Sequence, residues 1–324
     1  MSAERDLDLL VLGDVNPDLV LSDASLQIAF GQAETLVDGA ELTIGGSGAI
    51  MACGAARLGL RTALAGLVGE DHFGAFMLEA ASARGVDVSG VVVDPAMQTG
   101  LTVVLARPGD RAILTFPGAI AAMTADRVDT GLLSRARHVH VSSFYLQTAL
   151  APGLGGLLAA VRAGGATTSV DPNWDPSGRW EGGLRELLGE VDVLLPNEAE
   201  ACRVAALTDV EQAATRLAAS GPLVAVKLGA AGALAVPAGG GPVVTAQPPR
   251  GLPEPVDAVG AGDSFDAGLL AGLLGSEPLP EALQLACACG ALSLQAAGGT
   301  AAQPTLAQAR QARRGGGPAA PARP

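Results

Sequence analysis

The strongest constraint on the fold is a recurring order: a short aliphatic run, a turn rich in Gly, Asp or Asn, then a stretch with helical spacing. Residues 7–13, 61–68, 138–143, 167–170, 191–196 and 223–228 each begin such a unit. The first run, Leu-Asp-Leu-Leu-Val-Leu-Gly, has the near-continuous apolar character of a strand buried on both faces of a parallel sheet. Strands alternating with helices give an α/β chain with a doubly wound, mostly parallel sheet and helices on both faces. In open sheets of this kind ligands lie beyond the carboxyl ends of the strands. The polar residues that close each run are therefore the first candidates for chemistry.

Composition narrows the chemistry. At 324 residues and 49% apolar the chain can bury a large core, and with only 3% aromatic residues that core is aliphatic. A net charge of −13 argues against nucleic acid or an anionic membrane as a partner. An anionic ligand then needs a local positive site, which backbone N–H groups can supply. Lys227 is the sole lysine, so no Gly-Lys-Ser/Thr phosphate loop exists. The lack of a complete Gly-x-Gly-x-x-Gly after a strand weighs against a dinucleotide-binding dehydrogenase. Cys53, Cys202, Cys287 and Cys289 sit in apolar, helix-like sequence without metal spacing, which suits packing. No basic-then-apolar leader and no 18-residue uncharged membrane-like run is present, so a cytoplasmic location is expected.

One stretch organises the rest. Residues 256–268 place small residues and glycines directly before an apolar helical run, with Asp263 in the first turn. First-turn N–H groups lack intrahelical partners and carry partial positive charge, so such an end can bind a phosphate. An acid there suits proton removal from an attacking hydroxyl. An ordinary Gly-rich helix start fits the same residues equally well.

The segment Asp257-Ala258-Val259-Gly260-Ala261-Gly262-Asp263 resembles the C-terminal signature of the ribokinase (PfkB) family of carbohydrate kinases, usually Asp-Thr-x-Gly-Ala-Gly-Asp. The resemblance implies that Asp263 is the catalytic base and that Gly260, Ala261 and Gly262 form an anion hole. It extends over roughly residues 7–310. At the first strand end, Asn16 and Asp18 match an Asn-x-Asp that binds sugar hydroxyls, with Asp14 one alternate position earlier. Turn chemistry is the competing reading there. Gly45-Gly46 matches the family's diglycine, where a loop needing positive φ would look the same. Ile50 stands where the family has Asn, and Ala258 where it has Thr or Ser. Asn197-x-x-Glu200 matches a motif that organises water-bound Mg²⁺, although Asn197 also suits a helix cap. Lys227, Gly229 and Gly232 resemble a nucleotide-binding turn, and residues 297–305 the region beside the adenine. Asp257 and Val259 map to a monovalent-cation site, with potassium as the ion.

Elsewhere the bland reading leads. Residues 69–74 are taken as structural, His138 and His140 as packing histidines, and the Asp171 loop as a turn. Residues 91–93, 100–105 and 112–116 read as short lid strands, with Pro108-Gly109-Asp110 as a hairpin turn. The expected organisation is an α/β kinase domain (1–18, 44–99 and 117–312), a small β lid (19–43 and 100–116) and a disordered tail (313–324). The lid, without helices to cover it, is expected to form a homodimer.

The implied activity is ATP- and Mg²⁺-dependent phosphorylation of a primary hydroxyl on a small ribose-, fructose- or ketodeoxygluconate-like sugar or sugar acid. A nucleoside kinase of the same family is the alternative, against which the few aromatic candidates (Phe30, Phe116, Phe144 and Tyr145) count mildly. A non-catalytic sugar-binding regulator is suggested by Ile50 and Ala258 and opposed by Asp263, Asn197 and Glu200.

Overall fold

Every residue of the first strand, β1 (Leu7–Leu12), is buried, as a strand covered on both faces requires. A computed structural model describes residues 5–28, 30–107 and 110–315. The further strands are β2 (Asn16–Ser22), β3 (Gly39–Gly45), β4 (Thr62–Gly69), β5 (Asp87–Asp94), β6 (Leu101–Arg107), β7 (Asp110–Phe116), β8 (Ala136–Val141), β9 (Thr167–Val170), β10 (Val193–Leu194), β11 (Leu223–Lys227), β12 (Ala233–Val236) and β13 (Val244–Ala246). Among them run α1 (Ser47–Arg57), α2 (His72–Ser82), α3 (Thr130–Arg135), α4 (Ala151–Ala163), α5 (Leu184–Leu187), α6 (Glu198–Ala205), α7 (Val210–Ala218), α8 (Ala261–Leu274), α9 (Leu279–Ser293) and α10 (Leu306–Gly315).

The large sheet has the order β13-β12-β11-β10-β9-β8-β1-β4-β5. It is parallel from β11 to β5, and β12 and β13 pair antiparallel at one edge. Strand alternation sorts the side chains into two layers. Leu10 and Leu12 face the core shared with α3 to α7, while Leu9 and Val11 face the core shared with α1, α2, α8, α9 and α10. From β1 the chain winds outward to β4 and β5, then returns to β8 on the other side. The reversal between β1 and β8 opens a crevice at their carboxyl ends.

The second sheet, β3-β2-β6-β7, is the lid. Two of its strands overrun the expected segment 19–43. Asn16 and Asp18 lie inside β2, not in a turn before it, and β3 runs on to Gly45. Residues 91–93, grouped by pattern with the lid, belong to β5, which pairs with β4 in the main sheet. A three-residue apolar run cannot by itself say which sheet it joins. Asp110 begins β7, while Pro108 and Gly109 of the expected hairpin turn lie outside the described residues. At the other end α10 runs to Gly315, past the expected start of a disordered tail at 313. Arg313 there pairs with Glu277 at 2.5 Å, a contact no local pattern announces. Residues 316–324 lie outside the described residues.

His138 and His140 share one face of β8 and form a buried polar chain through Ser169, at 2.7 Å to each ring. Burial pushes both imidazoles down, to about 4 and about 3, so they are neutral packing residues as expected. All four cysteines are free.

Candidate active site

Helix α8 starts at Gly260, whose φ of 72° places it in the left-handed region and which makes no side-chain cap bond. The first-turn N–H groups are thus left without a side-chain acceptor. A Cβ on Gly260 would lie 2.7 Å from the Gly299 Cα and 2.9 Å from Ile50 Cγ2, so glycine is required on two counts. Ile50 is therefore a buried support beneath the Gly260–Gly299 contact. Ala258 is exposed, so its missing hydroxyl leaves no gap in the interior.

Asp263 lies on the first turn of α8 and is 9% exposed. Burial first, then the negative charge of Asp171, pushes its carboxyl up to about 8, against the opposing pull of Lys227. Ser47 donates to it from the start of α1. Asp14, Asn16 and Asp18 come to the same crevice, each with a defined local task. Asp14 accepts from Ser47 N at 3.0 Å and Gly48 N at 2.8 Å, so it caps α1 from β1 in place of Gly46. Asn16 donates to Thr102 Oγ1 on β6 at 3.2 Å. Asp18 is pushed up to about 7, first by burial and then by Asp14. The diglycine makes room for these acids: a Cβ at Gly45 would overlap the Asp18 carboxyl, and one at Gly46 would lie 2.8 Å from Asn16 Oδ1. Opposite Asp18 in the β2–β3 ladder, Thr43 buries an Oγ1 with no partner, which a polar ligand would complete.

On the far side of Asp263, Asn197 and Glu200 form a capping box at the start of α6. The Glu200 N–H donates to Asn197 Oδ1 at 3.0 Å, and the Asn197 N–H donates to Glu200 Oε2 at 2.8 Å. Asn197 Nδ2 adds a bond to Oε1 at 2.5 Å. Burial, then Asp171, pushes Glu200 up to about 7. A buried carboxylate that keeps spare lone pairs beside an anion site suits the water shell of Mg²⁺. Asp257 ties down the loop before α8, accepting from Val259 N at 3.0 Å and Gly298 N at 2.9 Å.

Lys227 lies at the end of β11. Its Nζ turns inward, 2.8 Å from Asp171 Oδ2 and 3.1 Å from Asp266 Oδ2. Gly229 and Gly232 remain at the β11–β12 turn with φ of 59° and 90°, and a Cβ at Gly232 would strike the Ala246 carbonyl. Asp171, taken as a turn residue, and Asp266, not singled out, are thus partners of the buried lysine. The spacing from Asp263 to Asp266 puts both on one helix face and was the available signal. Ser47, Thr43 and Asn173 were also missed. Asn173, at φ 54°, donates from Nδ2 to Ser47 Oγ and Ser143 Oγ at 3.0 and 3.1 Å.

Comparison with known proteins bears on the family and the fold. A family model described as pfkB family carbohydrate kinase matches residues 6–306. An ATP-dependent ribose-1-phosphate kinase from Halopiger xanaduensis is 32% identical, over 88% of this chain and 91% of its own. A fructokinase from Klebsiella pneumoniae is 33% identical, over 80% and 88% of the two chains. A 2-dehydro-3-deoxygluconokinase from Bacillus subtilis is 30% identical, over 81% and 84%. Among solved structures, an E. coli protein described as ribokinase II, in complex with ATP and Mg²⁺, superposes with a TM-score of 0.83 at 25% identity, covering 95% of this chain and 99% of that one.

Proposed function

Since the chain belongs to the pfkB family of carbohydrate kinases, we propose that it transfers the γ-phosphoryl group of ATP to a primary hydroxyl of a small sugar or sugar acid. The observation that carries the reading is the start of α8, where N–H groups without a side-chain cap share the first turn with a buried carboxyl. Asp263, once ionised, takes the hydroxyl proton, and the Gly260–Gly262 amides receive the negative phosphoryl oxygens. Asp14, Asn16, Asp18 and Thr43 hold the sugar hydroxyls, while Asn197 and Glu200 hold the hydration shell of Mg²⁺, which neutralises phosphate charge when bound. Gly229 and Gly232 let the β11–β12 turn approach the nucleotide.

The test is ATP turnover against a panel of fructose, ribose, ribose 1-phosphate, 2-dehydro-3-deoxygluconate and adenosine. Saturable phosphorylation of one of the sugars supports the reading. Preference for adenosine would point to a nucleoside kinase, and sugar binding without turnover to a regulator. The relatives act on different sugars, so the panel also assigns the substrate.

Potassium beneath the loop belongs to the same reading, through Asp257 and the Val259 carbonyl. Activity should fall when potassium is replaced by tetramethylammonium, and equal rates in both would remove the ion from the mechanism. We further expect a homodimer through the lid. Leu42, Ile113, Leu114 and Phe116 are 38–59% exposed on it, and β3 and β7 are open edge strands. Sedimentation should show a dimer at micromolar concentration, and a fully active monomer would reject it.

A further inference from the structure

We propose that Lys227 is a positioning residue for phosphoryl transfer rather than a nucleotide ligand: its ammonium, clamped by Asp171 and Asp266 against Gly262, seats the first turn of α8 and balances the charge around Asp263. The proposal rests on the reading of Asp263 as the base. The Lys227 side chain is 13% exposed, and its Nζ is spent on Asp171 Oδ2 at 2.8 Å and on both oxygens of Asp266 at 3.1 and 3.2 Å. A Cβ on Gly262 would rest 3.6 Å from Lys227 Cδ and 3.7 Å from Nζ, so the last residue of the Gly-Ala-Gly turn faces the lysine side chain.

Beyond burial and against the pull of Lys227, the charge of Asp171 opposes ionisation of Asp266. Burial raises Asp266 well above the usual carboxylate range, while Lys227 helps hold Asp171 below it. The ammonium thus stands between two buried carboxyls whose charge it offsets.

The charged and titratable groups that face Asp263 come from several elements. Asp14 stands at the end of β1, Asp171 at the end of β9, Lys227 at the end of β11, and Asp266 one turn along α8, with Ser47 donating from α1. Glu200 on α6 faces Lys227. Lys227 is the cation in this set, and Asp171 is the foremost charge opposing ionisation of Asp263. Neutralising them should move the base in opposite directions, which a merely structural role does not predict.

The experiment measures kcat/KM for the sugar against pH, KM for ATP and the thermal midpoint for wild type, Lys227→Met, Asp171→Asn and Asp263→Asn. Lys227→Met should move the acid limb up by about one pH unit, and Asp171→Asn should move it down by a similar amount. KM for ATP should stay near the wild-type value. Limbs that do not move in folded variants overturn the proposal, as does a Lys227→Met variant whose main defect is a raised KM for ATP. If Lys227→Met fails to fold, Asp171→Asn decides alone, and a limb that stays or rises overturns it. Active Asp263→Asn would instead refute the base assignment, whereas inactive Asp263→Asn with unmoved limbs refutes only the role of Lys227.

Discussion

Asp263→Asn should lower turnover by ~10²–10⁴, roughly 3–5 kcal/mol in the barrier, while leaving a folded protein that still binds ATP. Asparagine keeps the size and hydrogen-bonding capacity of the side chain and loses only its basicity. If Asp263 merely ended a helix, asparagine would serve as well, since the two are equivalent caps. The pH dependence sharpens the test. With the carboxyl pushed up to about 8 in the free protein, kcat/KM should rise as pH rises through that region, because the ionised form is the base. Stability runs the other way. A folded-state pKa raised from 3.8 favours the fold fully below about 4, and that contribution is lost as pH rises toward 8. Asp263→Asn escapes this loss, so its thermal midpoint should exceed that of wild type at pH 8, with the gap closing toward pH 4. Near-normal turnover in a folded variant would sink the assignment.

Glu200→Gln should raise the Mg²⁺ concentration needed for half-maximal turnover by ~10–100-fold, the usual cost of losing a residue that orients metal-bound water. Sugar binding without nucleotide should be nearly unchanged, because Asp14 and Asp18, the acids proposed to hold the sugar, stand between β1 and β2 and within β2. The capping box supplies the competing explanation. Glutamine serves that box as glutamate does, so a capping role alone predicts a thermal midpoint and a Mg²⁺ dependence both near wild type. Titrating Mg²⁺ at fixed ATP and measuring the midpoint in parallel separates the two effects. A large loss of sugar affinity with normal Mg²⁺ dependence would remove Glu200 from the metal role.

The alternation of aliphatic runs and helical stretches determined the doubly wound sheet, because burial on both faces leaves a strand like β1 no other arrangement. The order of short motifs then carried the kinase resemblance, with Asn197 after β10, Lys227 at the end of β11 and the Gly-Ala-Gly turn at the start of α8. These were local properties, written in consecutive residues. What local pattern could not decide was partnership. Residues 91–93 are apolar in either sheet, and only pairing with β4 assigns them to the main one. The Arg313–Glu277 contact that continues α10 spans 36 residues. Ile50 packs beside Gly260 and Gly299, which lie far from it along the chain. Lys227 shows the reason most clearly. Its sequence neighbours are those of a nucleotide turn, yet Asp171 and Asp266 lie 56 and 39 residues away and capture its ammonium. A lone buried charge is prohibitively costly, so its position is set by the acids that the fold brings to it. No spacing along the chain encodes that meeting.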